Sequence, residues 1–170
     1  MKNLVKVALV AICILSMGSF ANAQQKIGYV NADAIMAADP QSKTISQQLQ
    51  DYQKTFSDSF AALQAEFNKK ANDYQTKQAS MSDAQKTVAQ GELGDLQKRA
   101  QEFQQNAQQK IEAKTQELLK PLQDKVRTAI QAVAKEKGYT YVFNAANVDL
   151  LVSPEGDNLE AAVKLKLGLK

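Results

Sequence analysis

Apolar residues recur at Ile45, Leu49, Tyr52, Phe56, Phe60, Leu63, Phe67, Ala71 and Tyr74, with successive gaps of 4, 3, 4, 4, 3, 4, 4 and 3. This is an eleven-residue repeat. Eleven residues in three turns lies close to the natural twist of an α-helix, so the stripe stays on one side with little supercoiling. A strand would show a period of two, so this stretch is helix. At 1.5 Å per residue, a helix of ~38 residues would run ~57 Å.

The stripe is interrupted at Ala79-Ser80-Met81-Ser82. Ser82 followed by Gln85 has the spacing of a capping box, in which a hydroxyl and an amide satisfy free backbone donors at a helix start. A tight turn is therefore placed at 79–82. The stripe resumes at Val88, Leu96, Ala100, Phe103, Ala107, Ile111, Leu118, Leu122, Val126, Ile130 and Val133. Two helices with matching stripes and a short turn between them should zip face to face as an antiparallel hairpin spanning 41–121. The alternative is one unbroken helix through the serine cluster. Gly91 and Gly94 lie inside the returning helix, each costing about 1 kcal/mol relative to Ala. They either make the outer arm pliable or are tolerated on a solvated face. Pro121 removes a backbone donor and is expected to kink the helix near the base of the arm.

The ends of the chain read differently. Residues 26–31 (Lys-Ile-Gly-Tyr-Val-Asn) read as a strand, 32–38 as a brief helix, and Tyr139 to Asn144 and Val148 to Ser153 as two more strands. Gly138 should end the long helix, with Lys135 and Lys137 in its last turn. Asn158 could cap a final helix from Leu159 to Leu167. Segments 24–40 and 122–170 thus form a small β/α body. Three short strands leave sheet edges and apolar faces uncovered. Burial against copies of the same chain is the natural solution, with Ile27, Tyr29, Val30, Tyr141, Val142, Phe143, Leu150 and Val152 as the candidate contacts. The fold class is α+β, mainly α: a long helical hairpin arm on a small oligomerising body.

Little in the chain can do chemistry. It has no His and no Trp, and Cys13, its one cysteine, is expected to leave with a cleaved signal segment. That removes the commonest general base, the commonest metal ligand and thiolate mechanisms. No phosphate-binding loop or nucleophile–base pair is present, so no catalytic, metal or cofactor-binding residue is assigned. Residues 45–120 carry ten basic and ten acidic groups, interleaved as on a solvated helix face. The phenylalanines are read as holding the helices together. Contact with another chain would then fall on Gln, Lys and Ala surface, Met81 and the tip, with no particular residue assigned.

The first 23 residues read as a secretory signal. Lys2 and Lys6 precede the apolar run Val7 to Leu15, and Ala21-Asn22-Ala23 offers a cleavage site after Ala23. The run is about half of the ~20 residues a spanning helix needs, and acylation at Cys13 would require a cut inside it. Loss of Lys2 and Lys6 leaves 19 basic against 18 acidic residues, a net of +1. No nucleic-acid partner is expected from that balance, and charge does not indicate a membrane-surface contact.

Residues 26–31, the run from Leu118 through Pro121 to Gly138-Tyr139, Tyr141-Val-Phe-Asn144, Asp149-Leu-Leu-Val and Gly156-Asp-Asn-Leu159 together resemble the OmpH/Skp family of periplasmic chaperones. The likeness covers essentially the whole chain after the signal. It implies a jellyfish-like homotrimer, with strands from three subunits forming a central body and three arms enclosing a cavity. It also implies an ATP-independent holdase for unfolded outer-membrane β-barrel proteins. The neutral arm departs from the strongly basic arms of the best-known members, and their lipopolysaccharide-contact cluster has no counterpart here. A structural or adaptor coiled-coil protein of the envelope is the alternative.

Overall fold

The computed structural model describes residues 25–169. The signal segment and its cleavage site lie outside the described residues. The chain divides into two compact units, Met36–Lys125 and the segments on either side of it.

In the first unit, Met36–Lys125, the chain enters α2 (Pro40–Lys77), turns, and returns along α3 (Asp83–Glu136), which continues into the other unit. Asp39 caps α2: its extended backbone leads in, its carboxylate accepts the Gln41 N–H, and Pro40 occupies the first turn, where its missing donor is not needed. α2 ends in a 3-10 turn at Gln78–Ser80. Ser82 and Gln85 then form the capping box: the Ser82 N–H donates to Gln85 Oε1 at 2.9 Å and the Gln85 N–H donates to Ser82 Oγ at 3.3 Å. The helices run antiparallel. Asp39 meets Lys125, Phe56 meets Phe103, Lys70 meets Glu92 and Tyr74 meets Gln90. The midpoints of these pairs all fall at residues 79–82, where the sequence places the turn.

All nine stripe residues of α2, from Ile45 to Tyr74, are half-buried, and α2 has no fully buried residue. Two helices alone cannot enclose a stripe, so this unit has little core beyond Leu96, Ala107 and Leu122. On α3 the outer stripe differs from expectation. Val88 is exposed, while Ala89 and Leu93 face inward. The alternation 89, 93, 96, 100, 103 keeps the helical rhythm that Val88 breaks.

The second unit is built around β1 (Ile27–Val30) and β2 (Tyr141–Asn144), which pair in parallel with Ile27 opposite Tyr141 and Tyr29 opposite Phe143. Parallel neighbours need a crossover connection, and here the whole of 31–140 supplies it. A short helix α1 (Ala32–Ala38) follows β1; Asn31 Oδ1 accepts the Ala34 N–H and Asn144 Oδ1 the Ala32 N–H. The expected third strand at 148–153 does not form. That segment is irregular, with Leu151 and Val152 each 89% exposed. β1 instead takes its other neighbour further along, through a parallel bridge between Tyr29 and Asn158 and an N–H from Leu159 to the Tyr29 carbonyl at 2.9 Å.

Gly138 stops α3 at φ +72°, with Tyr139 N–H returning to the Ala134 carbonyl and Gly138 N–H to that of Lys135. This is the Schellman pattern, which needs a left-handed residue. Gly168 repeats it after the last helix, α4 (Glu160–Lys166). The Tyr139 ring lies against Gly28, where a Cβ would meet ring carbons at 2.9 and 3.0 Å. Val30, Ile35, Val126, Val133, Leu159 and Val163 complete a compact core.

Candidate functional site

Within Met36–Lys125 the two helices do not close on each other along their length. Between residues 53–60 of α2 and 101–112 of α3 lies an open groove of about 1050 Å³. Its apolar part is Phe56, Phe60, Phe103, Ala107 and Ile111. Tyr52 packs edge-on against Phe56 with ring centroids 5.0 Å apart, and Phe56 tilts against Phe103 at 6.0 Å. Phe56 and Phe103 therefore join the two helices, while Phe56, Phe60 and Phe103 each stay half-buried. Gln53, Gln101, Gln104, Gln105 and Gln108 stand around them. These glutamines flank the apolar stripe in sequence. The sequence assigned contact with another chain to Gln, Lys and Ala surface without naming residues; the pairing of the helices brings these five together.

At the open end of the hairpin, Asp39 is 2% exposed and lies 2.6 Å from Lys125 Nζ. The Lys125 contact holds the Asp39 carboxyl below its ordinary value; burial opposes this, and the Gln41 N–H assists it. This pair was not foreseen in the sequence. Along the arm, Lys70–Glu92 bridges the helices, while pairs such as Lys54–Asp58 and Lys120–Asp124 stay within one helix and are exposed. Gly91 and Gly94 have empty space where a Cβ would stand, and Pro121 sits inside α3 with helix on both sides of it.

In the other unit, alternation along the strands puts Ile27, Tyr29, Tyr141 and Phe143 on one face of the sheet. Ile27, Tyr141 and Phe143 are 49, 52 and 45% exposed. Val30 and Val142 belong to the opposite face, and Val30 is buried in the chain's own core. Leu150 is half-buried and, with Tyr29, residues 145–149 and Ser153, lines a hollow of about 570 Å³. Of the eight candidate contacts, then, the fold brings four together on a free face, places Val30 and Val142 behind it, and leaves Leu150 and Val152 on an irregular loop. Among the described residues, no helix is long and apolar enough to cross a membrane, and no group of three or more acidic side chains is placed to hold a metal.

The chain thus combines, in one unit, a long hairpin of two thin helices with an open groove and, in the other, a small parallel sheet. The family model for outer membrane protein (OmpH-like) matches residues 26–167, and the chain belongs to that family. A Skp chaperone protein of Vibrio cholerae serotype O1 is 29% identical over 171 residues, covering 96% of this chain and 98% of the relative. A crystal structure from Caulobacter crescentus CB15, described as an OmpH-like outer membrane chaperone, has the same fold: TM-score 0.70 over 86% of both chains, at 14% identity. The family's members are chaperones, not enzymes.

Proposed function

We propose that the protein is an ATP-independent periplasmic holdase, exported by a signal cleaved after Ala23, that keeps unfolded outer-membrane β-barrel proteins from aggregating. The observation that carries this reading is the arm. α2 runs for 38 residues without one fully buried side chain, so most of its surface, with the exposed half of its stripe, is open to another chain. A folded partner needs shape complementarity, which a narrow polar hairpin hardly offers; an unfolded chain needs only reach and apolar footholds.

The body supports self-association. Ile27, Tyr29, Tyr141 and Phe143 make a free apolar face, and Leu151 and Val152 extend from a neighbouring loop. Burying such surface stabilises by roughly 25 cal/mol per Å². Three copies joined there, as in the homotrimer the family resemblance implies, would set three arms around a cavity. Gly91, Gly94 and Pro121 are the points at which those arms would flex, since Gly weakens a helix and Pro removes one of its hydrogen bonds.

The test is light scattering. A β-barrel protein unfolded in urea is diluted with and without the mature protein. Suppressed scattering at a molar excess of trimer is expected; unchanged scattering overturns the proposal. The half-exposed stripe also fits an envelope adaptor that docks a partner helix. A pull-down from envelope extract separates the two, because an adaptor would retain one stoichiometric folded partner and a holdase many unfolded barrel proteins.

A further inference from the structure

Residues 148–153 form neither helix nor strand, and among the described residues none of the six makes a hydrogen bond. Leu151 and Val152 are almost wholly exposed, and Val148 is exposed as well. Local opening is cheapest where hydrogen bonds and buried contacts are fewest. This segment, with its strand-forming side chains, can therefore straighten at little cost. It is also a place where one break undoes much. Beyond it lie Leu159 and Val163, both in the core, and Leu159 donates its N–H to the Tyr29 carbonyl. A cut would leave that part of the core on a separate piece, no longer held near its site by the chain.

We propose that residues 148–153 are a cleavage site for an endoprotease whose S1 pocket takes an aliphatic side chain, and that the cut falls on chains that have not joined copies of themselves. The second half rests on the self-association reading. A protease cleft takes a substrate in extended form, through main-chain hydrogen bonds and pockets for side chains. Helices α2 and α3 have their backbone groups already paired and cannot enter one. The hairpin turn is held by its 3-10 turn and by the Ser82–Gln85 capping box. Residues 148–153 carry no such restraint, and Leu151 and Val152 supply the aliphatic side chain. Water hydrolyses the peptide bond after Leu151 or Val152. The C–N bond breaks, the water oxygen stays on the carbonyl carbon as a new carboxylate, and both water protons end on the new ammonium of the following residue. Tyr29, on the free apolar face of the sheet, lines one hollow together with Val148, Leu150 and Ser153. A second copy seated on that face therefore lies against the segment too and keeps a protease out.

The experiment uses elastase, whose S1 pocket is small, in trace amount on the mature protein and on Phe143→Asp. That substitution sets a charge on the free face, outside the chain's own core. Wild type diluted until single chains prevail gives the same comparison without a substitution. Fragment masses and solution molar mass are read on each sample. Single chains should be cut first after Leu151 or Val152, and assembled chains roughly tenfold more slowly, following the share of single chains. A first internal cut elsewhere, such as the hairpin turn, or no cut at all, overturns the site. Equal rates in assembled and single chains overturn the selection of unassembled ones and leave self-association standing. A wild type that is a single chain at every concentration overturns self-association and the selection with it, while its first cut still decides the site. Leu151→Asp and Val152→Asp are then combined on two exposed side chains that the core does not use. An apolar pocket rejects a carboxylate, so the cut in single chains should slow roughly tenfold; an unchanged rate overturns the proposal.

Discussion

The Asp39 carboxylate joins the two helices of the arm at their open end, accepting the Gln41 N–H at 2.9 Å through one oxygen and meeting Lys125 Nζ at 2.6 Å through the other. One residue thus caps α2 and ties it to α3. Lys125→Met would leave a buried carboxylate without its cation. A fully buried pair so broken costs about 3–5 kcal/mol. Lys125 is 42% exposed, so about 2 kcal/mol is expected here by urea unfolding. Asp39→Asn keeps the capping acceptor and should cost less, about 1 kcal/mol.

The same pair sets a pH dependence. The folded-state value of Asp39 is lowered below 3.8, so its contribution is fully present above the unfolded value. It is lost as pH falls through the folded one. Unfolding free energy should therefore be flat with respect to this group from neutral pH down to about pH 5 and decline below about pH 4. In Asp39→Asn that part of the decline should be absent, as a series of urea melts would show.

Gly28 fits beneath Tyr139, whose hydroxyl donates to Asp157 Oδ1 at 3.0 Å and whose ring carries Lys26 Nζ 4.1 Å from its centre. A ring held at both ends cannot easily withdraw, and the Asp157 carbonyl stands 3.2 Å from the added methyl. Gly28→Ala is expected to destabilise the body by about 2 kcal/mol, within the usual range for overpacking. Thermal unfolding followed by circular dichroism would register it as a lower Tm.

Gly91 and Gly94 behave oppositely. Both are exposed, and a Cβ at either meets nothing within 4 Å. Alanine at each should stabilise the outer arm by about 1 kcal/mol, seen as slower amide hydrogen exchange around residues 84–100. If the arm flexes there, the double variant should also release a bound client more slowly.

With ten basic and ten acidic groups between residues 45 and 120, the arm offers no net charge to a client. Capture should change less than about twofold between roughly 0.05 and 0.3 M salt, since screening weakens long-range charge attraction and leaves apolar contact intact. A steep loss with salt, read from the scattering assay, would point instead to local charge clusters such as Lys69-Lys70 or Lys98-Arg99.

Much of the arm was legible because its signal is local. Periodicity fixed the α2 stripe residue by residue, and Ser82 with Gln85 marked the turn. The error at Val88 came from ranking by apolarity; the helical rhythm runs through Ala89 and Leu93 instead. In the body the limits are those of distance in sequence. Val148 to Ser153 has strand-forming residues but pairs with no strand among the described residues, while Asn158, with no such propensity, lies where β1 needs a neighbour. The parallel pairing of β1 with β2 and the Asp39–Lys125 pair join residues on either side of the whole hairpin, and neither leaves a short-range mark. The groove glutamines were visible as residues but not as a site, because convergence of two helices is what makes them one.

Solution molar mass tests the account most directly. The mature protein is mixed with a urea-unfolded β-barrel protein and passed through size exclusion with light-scattering detection. The account predicts one soluble species whose mass equals three chains plus one client. A protein that elutes as a monomer while the client is lost to aggregate would contradict it.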